Sequence, residues 1–363
     1  MDTTASKIIF DEDGICNYCT DFINLKRIFN LSKDQKSKKL TNLLENIKKD
    51  GLKKSYDCIV GVSGGVDSSY VLSLVKKEGL RPLAVHMDNG WNSELAQNNI
   101  ANIVQKLDID LYTHVIDWEE YKNIMSAFFK SDVIDIELLY DNAMLAVNYQ
   151  LAKKYRIKYI LSGTNTSTEG IRVPPNWSWF KNDALNIKYL TKKFSNQKIK
   201  TFPLFGTFEF IYYEIINKIK WIPFLDYYDY NKDNAINHLV KNYGFKPYPY
   251  KHYESIFTRF YQAYILPKKF SVDKRKLHLS NLIITGQMTR DEALRLMQQP
   301  TYPSEKEEQI DIKYFLKKMD WDKNKLNEYL DRPEIAHDKY KSEIKRWKFL
   351  KNTYLLIKNV FKK

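Results

Sequence analysis

Residues 63–69 read Ser-Gly-Gly-Val-Asp-Ser-Ser, between an apolar run at 57–62 (DCIVGV) and another at 71–75 (VLSLV). Three hydroxyls, a carboxylate and two glycines in that setting suit one kind of chemistry. A loop that leaves a strand and enters a helix aims several free backbone N–H groups at one point, and the helix dipole adds about +0.5 charge there. Glycines let the backbone approach a ligand closely, and serine hydroxyls donate further hydrogen bonds. Such a loop holds phosphate. It contains neither G-x-x-x-x-G-K-[ST] nor G-x-G-x-x-G, so a kinase-like P-loop and a dinucleotide fingerprint are both unsupported.

The surrounding pattern supplies the elements that such a loop needs. Short apolar runs at 57–62, 82–87, 111–116 and 159–163 alternate with helical periodicity near 66–78, 93–107, 119–130 and 138–155. That alternation predicts an α/β fold, a doubly wound parallel sheet flanked by helices, over residues 52–225. "TFPLFG" (201–206) is a fifth strand or a loop. Residues 1–22 hold a short cysteine-bearing segment, 23–51 a connecting helix, and 226–363 a mostly helical extension. Within that extension "NLIITGQMTRDEALRLMQQP" (281–300) reads helix, turn, helix, with Thr289 as N-cap.

Bulk properties narrow the class. The chain has 363 residues, 44% of them hydrophobic, so a large core is available and wholesale disorder is excluded. No apolar run approaches the roughly 20 residues that span a bilayer, and the first residues lack a signal-peptide pattern. Three cysteines (Cys16, Cys19, Cys58) are too few for a disulfide framework, so a cytoplasmic protein is expected. The net charge of +14 invites a nucleic-acid reading. Much of the excess, however, sits in 339–363, where nine Lys or Arg face one acid, and no nucleic-acid partner is expected. That tail carries Trp347, Leu350, Tyr354 and Ile357 at helical spacing. A stripe of this kind most often packs on its own domain; a peripheral place at an inner membrane surface is the other reading.

"SGGVDSS" resembles the PP-loop of the ATP pyrophosphatases, written S-G-G-x-D-S, with all six positions matched. The resemblance implies that Ser63, Gly64, Gly65, Ser68 and Ser69 hold the pyrophosphate part of ATP, and that Asp67 helps to hold Mg2+. It also places the rest of the nucleotide at the carboxyl ends of neighbouring strands. Asp88, in "HMDNGW", would lie on the ribose side; Gly163 and Thr164, in "SGTNTSTEG", would lie beside the α-phosphate.

Two other stretches point to a narrower group. "KIIFDEDGICNYC" (7–19) and "KHYESIFTRFYQAYILPKKFSVDKRKLHLSNLIITGQMTRDEAL" (251–294) resemble the N-acetyl sugar amidotransferases of bacterial surface-polysaccharide and flagellar-sugar pathways. The likeness runs from about Thr3 to Tyr302. It implies that the acetamido oxygen of a nucleotide-linked sugar (or a sugar carboxylate) is adenylated, and that ammonia then displaces AMP. Lys251, His252, Glu254, Arg259, Lys274, Arg275 and His278 are the implied catalytic or substrate-lining candidates. The implied partners are a separate glutaminase, similar to that serving imidazole glycerol phosphate synthase, and a cyclase-like subunit. The chain has no glutaminase nucleophile of its own, since Cys58 lies inside the apolar first strand.

Cys16 and Cys19 form a C-x-x-C, half of a four-ligand Zn2+ site. The resemblance implies a second C-x-x-C in a longer natural form, so Zn2+ is expected only there. Two alternatives remain on the sequence: a tRNA-modifying PP-loop enzyme, and a non-catalytic nucleotide-binding scaffold.

Overall fold

The computed structural model describes residues 1–28, 32–248 and 253–360. Five short strands, β1 (Cys58–Gly61), β2 (Pro82–Asp88), β3 (Leu111–Val115), β4 (Tyr159–Ser162) and β5 (Lys220–Pro223), pair in parallel in the order β3-β2-β1-β4-β5. The order reverses between β1 and β4, the switch point at which open parallel sheets hold their ligands. Ile59 pairs with Ile160 there, so the loops that follow both strands leave the sheet side by side.

Helices cover both faces. Preceding the sheet are α1 (Asn17–Ile28) and α2 (Lys33–Gly51); between strands run α3 (Val66–Lys77), α4 (Glu94–Leu107), α5 (Trp118–Ser131) and α6 (Leu138–Lys154). The excursion from β4 to β5 carries α7 (Thr166–Glu169), α8 (Ala184–Ser195) and α9 (Thr207–Phe210), the last continued as a π-helix over Ile211–Ile216. Beyond the sheet come α10 (Lys232–Tyr243), α11 (Ile256–Phe260), α12 (Leu266–Phe270), α13 (Arg275–Ile284), α14 (Arg290–Gln298), α15 (Glu305–Met319), α16 (Lys323–Asp331) and α17 (Ile344–Val360).

Side-chain alternation explains how one strand serves two cores. Cys58 and Val60 of β1 join Val71, Leu72 and Val75 of α3, Ile100 and Ile103 of α4, and Leu239 of α10. Ile59, facing the other way, joins the α5 and α6 side chains, and that core runs on into Phe257, Phe260, Phe315 and Tyr329. β1, β2 and β4 are buried along most of their length and read as continuous apolar runs, whereas β3 is an edge strand whose residues are exposed or half-buried. Trp91, fully buried, joins the two halves, with its ring 5.6 Å from Trp118 and 5.3 Å from Phe257.

The fifth strand is "KWIP", not "TFPLFG". In 201–206 the backbone bonds to side chains instead of a neighbouring strand: Thr201 and Phe202 donate to the Glu120 carboxylate (2.9 and 3.1 Å), and Phe205 donates to Asn142 (2.9 Å). Phe202 stacks on Tyr121 and Phe205 on Tyr149, so the apolar side chains are buried without strand pairing. Thr289 does cap α14, completing a capping box with Glu292.

Candidate nucleotide site at the switch point

The phosphate-type loop starts where β1 stops. Val62 donates to the Val85 carbonyl (2.8 Å), and its own carbonyl accepts from His86 Nδ1 (2.9 Å). His86 Nε2 in turn accepts from Asn92 (3.0 Å), which fixes the tautomer. Gly64 follows with φ +81°, in the left-handed region, and an added Cβ would stand 2.6 Å from the Ala96 carbonyl oxygen. Only glycine fits there. Gly65 is the N-cap of α3 and makes no side-chain cap to the first turn.

The serines gather around that turn. Ser63 Oγ accepts from the Gly65 N–H (3.3 Å) and lies 3.4 Å from Ser68 Oγ, which bonds the Gly65 carbonyl (3.3 Å). Ser69 is buried in the same turn. Asp67 accepts a hydrogen bond from the Tyr230 hydroxyl. Tyr248 donates to the Gly64 carbonyl (2.9 Å) while its oxygen accepts from Asn99 (3.3 Å). Neither tyrosine carries a sequence signal: both lie in an aromatic-rich stretch and reach the loop from far along the chain.

β4 delivers Gly163 against this helix start. A Cβ on Gly163 would lie 2.9 Å from both the carbonyl carbon of Asp67 and the amide nitrogen of Ser68. Thr164 hydrogen-bonds Ser162 beside it (2.7 Å). The loop is held from the C-terminal side: Asn281 accepts from the N–H groups of Gly170 (2.7 Å) and Ile171 (3.0 Å) and donates to the Ser167 carbonyl (2.9 Å). Thr285 and Gln287 donate to that same carbonyl, at 3.0 and 2.8 Å. Asp88, at the end of β2, accepts from the Gly90 N–H (2.8 Å) and from Asn92 (3.1 Å), a turn that shapes the crevice wall.

Glu254 also reaches the site. Its carbonyl accepts from the Ser93 N–H (2.9 Å), Ser255 bridges Asn92, and Ile256 donates to the Trp91 carbonyl (2.9 Å). The segment is thus strapped to the end of β2, and the Glu254 carboxyl carbon lies 3.9 Å from where a Gly65 Cβ would stand. Lys251 and His252 lie outside the described residues.

Of the remaining basic candidates, Arg259 and Arg275 are held within the C-terminal region and Lys274 pairs with the sheet domain. Arg259 forms a two-point ion pair with Asp311, which is 1% exposed, and lies over the Tyr253 ring. Drawing Arg259 away would strand a buried carboxylate, at about 3–5 kcal/mol. Arg275 is bonded to Asp273 and to the carbonyls of Gln299 and Pro300. Lys274 pairs with Glu137 (2.7 Å), which also accepts from Gln262. His278 is half-buried on α13.

The metal candidates divide. The Asp67 carboxylate and the loop hydroxyls are oxygen donors at a helix start, a set that fits Mg2+ escorting phosphate. Cys16 and Cys19 stand with sulfurs 3.2 Å apart. Burial, then the neighbouring Cys16, pushes the Cys19 thiol up to about 12. Among the described residues no group of three or more His, Cys, Asp or Glu is placed to hold a metal.

An open parallel sheet with a serine- and glycine-lined loop at its switch point defines a PP-loop nucleotide-binding domain. Residues 37–172 match the NAD synthase family model, and residues 254–354 match that of the LPS biosynthesis protein WbpG-like C-terminal domain. The chain therefore carries an NAD synthase-like PP-loop region followed by a WbpG-like C-terminal region. No curated protein matches it significantly. Solved structures that align with it include the NMN synthetase of Francisella tularensis (16% identity, 61% of this chain and 100% of that one, TM-score 0.31). The NH3-dependent NAD synthetase of Campylobacter jejuni aligns likewise (16%, 61% and 100%, TM-score 0.30). So does a predicted tRNA methyltransferase subunit of Methanocaldococcus jannaschii (16%, 51% and 75%, TM-score 0.29). Among the described residues no helix is long and apolar enough to cross a membrane.

Proposed function

We propose that this protein is an ATP-dependent amidotransferase acting on a nucleotide-linked sugar of lipopolysaccharide or a related surface glycan. An amide or carboxylate oxygen of the sugar attacks the α-phosphate of ATP and pyrophosphate leaves. Ammonia adds to the activated carbon, and the original oxygen departs with AMP. The product is an amidine from an acetamido group, or a carboxamide from a carboxylate.

The observation that supports this most is the meeting of the two matched regions. Glu254, the first residue of the WbpG-like match, stands against Gly65 of the phosphate loop. Ser63, Gly64, Gly65, Ser68 and Ser69 bind the departing pyrophosphate, and Asp67 would hold Mg2+, which would supply charge neutralisation there. Gly163 and Thr164 flank the α-phosphate. Glu254, whose carboxyl stands beside the loop at Gly65, takes the proton released when ammonia adds. Lys251 and His252, just before it in sequence, are the proposed substrate residues. Ammonia comes from a glutaminase partner, with a cyclase-like subunit in the assembly.

The test is incubation with ATP, Mg2+, ammonium and a panel of nucleotide-linked acetamido and uronic sugars. AMP and pyrophosphate should form, with a product in which NH replaces one oxygen (NH2 replaces OH for a uronic acid), and Asp67→Ala should abolish both. Release of ADP and orthophosphate would refute the reaction. Steeply salt-dependent tRNA binding would favour an RNA substrate.

A further inference from the structure

The cationic tail has two sides with different roles. Its single acid, Glu343, is turned inward, accepting from the N–H groups of Thr207 (2.7 Å) and Leu185 (3.2 Å). Trp347 also faces inward, its ring 4.7 Å from Phe210 and 5.2 Å from Phe180. Here α17 packs on its own domain. Lys345, Arg346, Lys348, Phe349 and Lys351 are left exposed, Phe349 at 69%.

The neighbouring helix adds to that surface. Over 207–216, Phe208, Tyr212, Ile215 and Ile216 are 63%, 44%, 50% and 66% exposed. All four lie on this one helical stretch. The Arg346 guanidinium lies 5.0 Å over the Phe208 ring and Lys153 lies 5.5 Å over Tyr212, so cations and apolar groups share one face. Buried Glu343 contributes no surface charge to offset them.

We propose that this face docks on an anionic lipid bilayer. Apolar side chains of this size enter the boundary between headgroups and acyl chains, and the long stems of Lys and Arg let their charges reach lipid phosphates. A second copy fits less well, because a twofold contact through this patch would set Arg346 and the adjacent lysines against their own equivalents. Attachment is peripheral, since none of the described helices can span. The inference stands apart from the proposed reaction.

Sedimentation of the full chain with vesicles tests it. Binding is expected to equimolar phosphatidylcholine and phosphatidylglycerol, to be absent with phosphatidylcholine alone, and to weaken as salt rises. The combined variant Phe208→Ser, Ile216→Ser, Phe349→Ser should lose about tenfold or more in partitioning. Arg346→Gln with Lys348→Gln should lose binding to a similar degree. All these side chains are exposed, so unchanged thermal melts are expected. Undiminished binding of the serine variant would reduce the effect to bulk charge and overturn the proposal. So would absent binding by the unmodified protein, or a light-scattering dimer that the serine variant dissolves, which would make the face a self-interface.

Discussion

The hydroxyl of Tyr230 donates a hydrogen bond to Oδ1 of Asp67, joining the stretch after the last strand to the carboxylate of the phosphate loop. Burial, then the adjacent Asp67, raises the pKa of this hydroxyl, so it remains a donor across the physiological range. The Tyr230 ring is held beside Tyr70, at 5.9 Å, and only the hydroxyl addresses the site.

Tyr230→Phe should therefore keep the fold while freeing Asp67 to turn. With Asp67 in its proposed role of holding Mg2+, loss of an orienting partner should cost about 10-fold or more in metal affinity. Calorimetric titration with ATP should show weaker binding in Mg2+ and little change in excess chelator. An equal loss in both conditions would mean that Tyr230 shapes the nucleotide pocket itself.

Gly163→Ala should drive β4 away from α3. Its Cβ would meet backbone atoms of Asp67 and Ser68 at 2.9 Å, and neither can rotate aside as a side-chain tip would. Overpacking of this kind costs about 1–3 kcal/mol. Denaturant melts should report that loss, and ATP binding should fall with it.

Asn281→Ala should release the loop after β4. Asn281 is 1% exposed and satisfies two buried N–H groups and one carbonyl. Each buried group left unpaired costs about 1–3 kcal/mol. Limited proteolysis should then cut within 163–171 under conditions that leave the unmodified chain whole.

His337 gives stability a defined pH dependence. Nε2 accepts from the Asp135 N–H (3.3 Å), so Nδ1–H donates to Asn186 (3.1 Å), and the ring stacks on Trp179 at 4.8 Å. Burial lowers its pKa from 6.5 to about 3. Unfolded chains take up this proton near 6.5 and folded ones only near 3, so His337 leaves stability unchanged above the first value. It reduces stability as pH falls from about 6.5 towards 3, at up to about 1.4 kcal/mol per pH unit. Denaturant midpoints measured across that window should show the slope, and His337→Gln should flatten it.

Legibility in the sequence followed the range of the interactions. β1 and the loop after it are local, since an apolar run, a forced glycine and a helix start follow one another, and 63–69 could be read directly. β5 could not, because "KWIP" is a short edge strand with little apolar burial and a terminal proline. "TFPLFG" is richer in buried aromatics, yet its backbone is bonded by Glu120 and Asn142, acceptors supplied by helices distant in sequence. Arg259 and Arg275 looked ready for phosphate because Asp311 and the carbonyls that hold them become neighbours only on folding. Tyr230 and Tyr248 were hidden for the same reason.

Glu254 reaches the loop at Gly65 from far downstream, and this has a consequence for synthesis. On a ribosome the strands, the serines and Gly163 emerge well before the segment that pairs with Asn92. A nascent chain folding as it appears has its anion cradle built while one wall is still missing. The machinery is closed only once the chain has emerged through Gln287, whose neighbours Asn281 and Thr285 also hold the loop after β4, so a polypeptide interrupted before Glu254 carries the grip without that carboxylate.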